Sequence, residues 1–137
     1  MPEILYQTKN VVMYIDKTVP CLVNEWHGFI NSKSFRQSIL TLVSLLEKHK
    51  LQYPKLPLLA DTQTLGVIKS DDLKWVTEDI NPQYVAAGAT HEAFIVSEDA
   101  FGQIALEKYM VQTTEQGDFT VQIFDNIETA KTWLKEI

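Results

Sequence analysis

Cysteine is almost absent from this chain. Cys21 is the only one in 137 residues, so no internal disulfide can form, which fits a reducing compartment. Histidine is scarce as well: His27, His49 and His91 stand far apart, and none has a second ligand at a metal-binding spacing. No metal site is expected. The longest apolar stretch, residues 39–46, is interrupted by Thr41 and Ser44 and falls far short of the ~20 residues a membrane span needs. The N-terminus MPEILYQTKN lacks the basic stretch and apolar run of a secretory signal. These absences point to a cytoplasmic protein with no membrane span. Glycine-rich phosphate loops are missing too, since Thr64-Leu65-Gly66 alone matches no such motif, and no cofactor is expected. Basic residues are outnumbered, 12 Lys and Arg against 18 Asp and Glu, for a net charge of −6. That balance argues against a nucleic-acid binder, which needs a basic surface to neutralise phosphates.

What is present describes an ordinary globular chain, 45% hydrophobic and 22% charged, of a length suited to one domain over residues 1–137. The charge is unevenly spread. Residues 1–70 carry a balance of +3 and residues 71–137 one of −9. The acidic half is read either as a solvated face or as a docking surface for a basic protein partner.

Short apolar runs at 4–7, 11–15 and 21–26, joined by polar turns, predict an antiparallel meander. Ser32 is a suitable N-cap for a helix over 34–50, whose Phe35, Ile39, Leu42, Val43 and Leu46 share one stripe. Leu40 and Leu45 fall outside that stripe and suggest neighbours on more than one side. Leu58-Leu59-Ala60 predicts a central strand ending at Asp61, where ligand crevices open in α/β sheets. Asp61 can equally close an Asx-turn on its own loop. Ser70-Asp71-Asp72 opens the next helix, with Ser70 as N-cap, and Asn81-Pro82 is expected to interrupt it before a short helix at 83–87. A buried strand follows at 91–96. Ser97-Glu98-Asp99 repeats the pattern of cap and acids before a helix over 100–113. Strict alternation over 119–124 predicts a half-exposed edge strand, one that would permit a homodimer. Asp125 with Glu128 forms a capping-box pattern before a last helix that buries Ile127, Ala130, Trp133, Leu134 and Ile137. The element order is β-β-β-α-β-α-β-α-β-α, an α/β chain with right-handed parallel crossovers after the meander.

Four local features carry a family resemblance: Trp26-His27-Gly28 ahead of Phe35-Arg36, the strand ending Leu58-Leu59-Ala60-Asp61, the pair Asp72 and Trp75, and Ala130-Lys131-Thr132-Trp133-Leu134. With the element order they resemble the STAS domain of anti-sigma factor antagonists, and more closely the small stand-alone bacterial STAS-like or SpoIIAA-like proteins. The resemblance implies a STAS-like mixed sheet and a non-catalytic regulatory or protein-interaction role. It also aligns Ser70 with the family's phosphorylated serine. Lys69 stands where that family has an acid, Asp71 where it has a second serine and Asp72 where it has glycine. The alternative for Ser70 is plain helix capping.

No catalytic signature is visible. Ser70, His27 and Asp61 could be assembled into a triad, but a chain of this size offers many such triples. Two function classes follow. In the first, Asp61, Ser70, Asp72 and Trp75 form a partner surface. In the second, Phe101, Leu106, Tyr109 and Met110 line an apolar cleft for a small apolar ligand or lipid.

Overall fold

The computed structural model describes residues 2–96 and 100–137, with side chains for all of these but 100–102. Six strands form one mixed sheet in sequential order: β1 (Ile4–Gln7), β2 (Val11–Asp16), β3 (Cys21–Gly28), β4 (Leu58–Leu65), β5 (His91–Ile95) and β6 (Thr120–Phe124). The first two pairings are antiparallel and the other three parallel. The meander arises from alternation: Val11, Met13 and Ile15 of β2 are buried and their neighbours half-buried. The sequence pattern of β6 puts it at an edge, and the structure does the same.

Each parallel step needs a crossover. Helix α1 (Ser32–Lys48) joins β3 to β4, and α4 (Ala100–Gln116) joins β5 to β6. Between β4 and β5 the chain runs through α2 (Ser70–Trp75), a π-helical turn (Val76–Ile80) and α3 (Asn81–Ala86). Residues of α1, the π-turn, α3 and α4 share one core with Leu22, Trp26 and Leu58 of the sheet. The opposite face is covered by α5 (Ile127–Lys135), through Ala130 and Leu134 packed on Cys21, Val23, Leu59, Ala93 and Ile95. Strands β3 to β5 are thus covered on both faces, and each fully buried leucine there, such as Leu22, Leu58 or Leu59, contributes roughly 2 kcal/mol of transfer free energy.

Four local expectations are corrected. Strand β4 does not end at Asp61 but continues to Leu65, because it pairs with β3 as far as Gly28. Asn31 caps α1, its side chain accepting from the Ser34 amide at 2.8 Å, so Ser32 is released for another contact. Asn126, rather than Asp125, caps α5 by accepting from the Thr129 amide at 2.9 Å. The chain also stays helical through Asn81-Pro82. Pro82 has no N–H to give, and the ladder slips there by one residue: the Asn81 amide reaches back to the Val76 carbonyl, five residues away. In α1, Leu45 is buried while Leu40 is exposed. Trp133 is half-buried against His91 and Phe124, and Ile137 is exposed. The cap-and-acids reading of Ser97-Glu98-Asp99 lies outside the described residues.

Helix α3 closes on Gly88, whose φ is +96°. The Gly88 amide donates to Val85 and the Ala89 amide to Tyr84, the paired bonds of a Schellman end. A Cβ at Gly88 would collide with the Pro54 carbonyl. Gly88→Ala therefore combines a left-handed backbone with a backbone clash, and is expected to destabilise the fold by at least about 2 kcal/mol. Urea unfolding checks this; a loss below about 0.5 kcal/mol would contradict the close approach.

Candidate functional site

Asp72, Trp75 and the freed Ser32 meet at one point. Asp72 lies in the first turn of α2 yet is only 3% exposed. Its Oδ1 accepts from Arg36 Nε at 2.8 Å and its Oδ2 from the Ser32 hydroxyl at 2.6 Å. The Arg36 guanidinium in turn lies 4.8 Å from the centre of the Trp75 ring, within cation–π range. Two residues read as a partner surface are thus joined to α1 by internal contacts. A buried carboxylate needs such partners, since leaving it bare would cost several kcal/mol.

Ser70 and Asp61 lie elsewhere. Ser70 is the first helical residue of α2 rather than its N-cap; the cap position belongs to Lys69, which makes no side-chain capping bond. Ser70 is exposed and lines a groove of about 340 Å³ between α2 and α4, with Lys74, Glu78, Lys108 and Gln112. The Asp61 carboxylate accepts from the backbone and side-chain nitrogens of Gln63, both at 3.2 Å, within strand β4, so it closes no turn there. Side chains alternate along a strand. Ala60 and Thr62 face the core beneath α1 and α4, so Asp61 faces the α5 side, away from Ser70 and Asp72.

Beneath α4 lies an apolar cavity of about 70 Å³. Its floor is Asn24, Ala60, Thr62, Glu92 and Phe94 of the three central strands. Trp26 and Phe35 close one side and Tyr84 another, while Ala105, Leu106 and Tyr109 of α4 form the roof. Leu65, Gly66 and Ile68 line it beyond the carboxyl ends of β3 and β4, where ligand crevices form in parallel sheets. Leu106 and Tyr109 of the expected cleft are therefore present. Met110 is half-buried and packs on the core without lining the cavity. The side chain of Phe101 lies outside the described residues.

Most polar groups at the cavity are satisfied within the fold. Asn24 donates to the Leu59 carbonyl at 3.1 Å and accepts from Trp26 Nε1 at 2.7 Å. Thr62 donates to the Ile95 carbonyl at 2.6 Å. Tyr109 donates to Asn81 Oδ1 at 2.8 Å, and Asn81 donates onward to Thr113 at 3.2 Å. Glu92 and Tyr84 stand outside this set of bonds. Glu92 is 4% exposed and lines the cavity together with Tyr84. Burial pushes the Glu92 carboxyl up to about 8, so it holds its proton at neutral pH. The Tyr84 and Tyr109 hydroxyls are raised well above the ordinary tyrosine value, first by burial and then by the neighbouring Glu92.

Glu92 was not singled out from the sequence, where it precedes the apolar run Ala93-Phe94-Ile95. A signal existed: period-two parity puts Glu92 on the same face as Phe94, and that face is inward. No group of His, Cys, Asp and Glu suited to a metal ion occurs among the described residues. No helix among them is long and apolar enough to cross a membrane. Compared with known proteins, the chain matches no family model, no curated protein and no solved structure.

The raised carboxyl makes stability depend on pH in a defined direction. Unfolded, Glu92 releases its proton near the ordinary value of 4.5; folded, it keeps it to about 8. Between those limits the folded state binds the extra proton, so stability falls as pH rises, by up to about 1.4 kcal/mol per unit. Glu92→Gln removes that titration. The variant is expected to gain on the parent steadily from pH 5 to 8, as read by urea midpoints at each pH. A constant difference across the range would refute the buried, proton-holding state.

Proposed function

We propose that this protein binds a small ligand with an apolar body in the cavity between α4 and the central strands. The observation that carries the reading is the cavity itself: largely apolar walls around one carboxyl, Glu92, with Leu65, Gly66 and Ile68 lining it at the carboxyl end of β4, where α/β sheets bind ligands. Its 70 Å³ exceeds several-fold the ~10–15 Å³ one water needs and is about half of a ~150 Å³ cavity that admits benzene. The volume suits a compound of a few non-hydrogen atoms rather than a whole lipid. Butan-1-ol and butylammonium are the probes of choice, followed by amide resonances of Ala60, Leu73 and Ala105 in NMR titrations. At least one probe is expected to shift them saturably, and Ala105→Phe, which fills the roof, to weaken that binding by at least about tenfold. If neither probe shifts these resonances, or Ala105→Phe leaves the shifts unchanged, the reading fails.

A second reading is the regulatory, protein-interacting module of STAS-like type. An antiparallel meander followed by successive β-α units supports a STAS-like arrangement. An exposed apolar pair supports the interaction role: Phe29 is 77% exposed and Val67 52%, and their segments are tied by the Gly66 amide donating to the Gly28 carbonyl at 3.0 Å. Exposed aromatics of this kind anchor interfaces. Ser70, open on its groove, is the position at which a STAS-type phosphate would act. The paired substitutions Phe29→Ser and Val67→Ser separate the readings. On the interaction reading they abolish association with a partner protein while butanol binding persists; on the cavity reading alone, association is unaffected.

A further inference from the structure

Among the described residues, Glu92 is the one charged residue lining the cavity, and no lysine, arginine or histidine lines it. Five aromatic rings surround the same space: Trp26, Phe35, Tyr84, Phe94 and Tyr109. Phe94 and Tyr109 meet edge to face, their centroids 5.7 Å apart, which fixes part of the wall. Aromatic faces carry negative potential and attract cations, most strongly where water is excluded. The lining polar groups outside the bonds of Asn24, Thr62 and Tyr109 are the Glu92 carboxyl, which donates and accepts when protonated and only accepts when ionised, and the Tyr84 hydroxyl. The backbone and side-chain donors nearby are already used by Leu59, Ile95 and Asn81. A carboxylate or phosphate ligand would find no cation among the described lining residues, so its charge would stay uncompensated. A neutral alkane would leave Glu92 and Tyr84 unsatisfied.

Resting on the cavity reading above, we propose that the ligand is a small primary ammonium compound. Its apolar tail lies against the aromatic walls, and its ammonium group pairs with the Glu92 carboxylate beside the Tyr84 hydroxyl. The pairing explains how a lone carboxyl can occupy the core of a sheet, because a cation restores the compensation that the fold withholds.

The proton balance follows. The free protein holds Glu92 protonated at neutral pH, and the ammonium ion keeps its own protons, so binding ejects the Glu92 proton into solvent. The titratable groups facing Glu92 are Tyr84 from α3 and Tyr109 from α4, and both stay protonated throughout this range. Affinity for the ammonium ion should therefore rise with pH between 5 and 8, by up to about tenfold per unit. Affinity for a neutral alcohol should not.

Butylammonium chloride and butan-1-ol, nearly equal in size, form the test pair, measured by calorimetry on the intact chain. Butylammonium is expected to bind at least about tenfold more tightly than butan-1-ol at pH 8. Its binding at pH 6.5 is expected to release up to one proton, read from buffers of different ionisation enthalpy. Glu92→Gln is expected to erase the preference while leaving butan-1-ol binding within about threefold. Equal binding of the two probes to the parent protein overturns the ammonium inference and leaves the cavity reading intact. Binding of neither overturns both. If Glu92→Gln does not fold, the parent's preference and its pH profile decide the matter alone.

Discussion

All three crossovers between the parallel strands return over the same face of the sheet, and the rest of the architecture follows from that constraint. Strand order is sequential from β1 to β6. A run of right-handed crossovers moving in one direction must stack its helices on one side. The α1–α4 layer accordingly builds the larger core, and α5 alone protects the other face of β3, β4 and β5. Only the thick side has the depth to enclose a cavity, and only residues of one parity on the central strands can reach it.

The connection from β4 to β5 shows how local chemistry holds that layer together. Pro82 would break a regular helix, and the π-turn ahead of it absorbs the missing donor. The slip leaves Asn81 buried with its side chain directed at α4, where it accepts from Tyr109 and donates to Thr113. Gln116 of α4 adds a bond to the Thr77 carbonyl at 2.7 Å. These polar contacts fix α4 at its C-terminal half, while its earlier residues Ala105 and Leu106 span the cavity. On the other side of the unit, Asp72, Arg36, Ser32 and Trp75 join α2 to α1. The helix pair is thereby positioned without filling the space beneath it.

A carboxyl in that space works against stability. Glu92 is buried in a largely apolar cavity with no cation among its described lining residues, so the fold keeps it protonated and loses stability wherever it must ionise. A leucine of similar size would pack there at lower cost. Groups that destabilise the free fold in this way are found where binding or chemistry needs them. The aromatic enclosure, with no cation among the described lining residues, gives that expectation a definite chemical sense.

The sequence by itself determined the element order, the meander, the edge position of β6, the face of α1 and, in α5, the burial of Ala130 and Leu134. These rest on periodicity and turn chemistry, which act between residues a few positions apart. Of its four cleft candidates, Leu106 and Tyr109 line the cavity, Met110 does not, and the side chain of Phe101 lies outside the described residues. Caps were less legible: Ser32 and Asp125 look like good caps, but Asn31 and Asn126 stand one residue away with the same chemistry, and backbone geometry chose between them. The roles of Asp61, Asp72 and Glu92 were decided only by tertiary structure. Asp61 faces the α5 side because its strand neighbours Ala60 and Thr62 face the layer of α1 and α4. Asp72 is buried because Arg36, 36 residues earlier, reaches it. Glu92 lies under α4 because three crossovers share one face. Charge, burial and partnership at these positions are set by residues distant in the chain, and no local pattern records them.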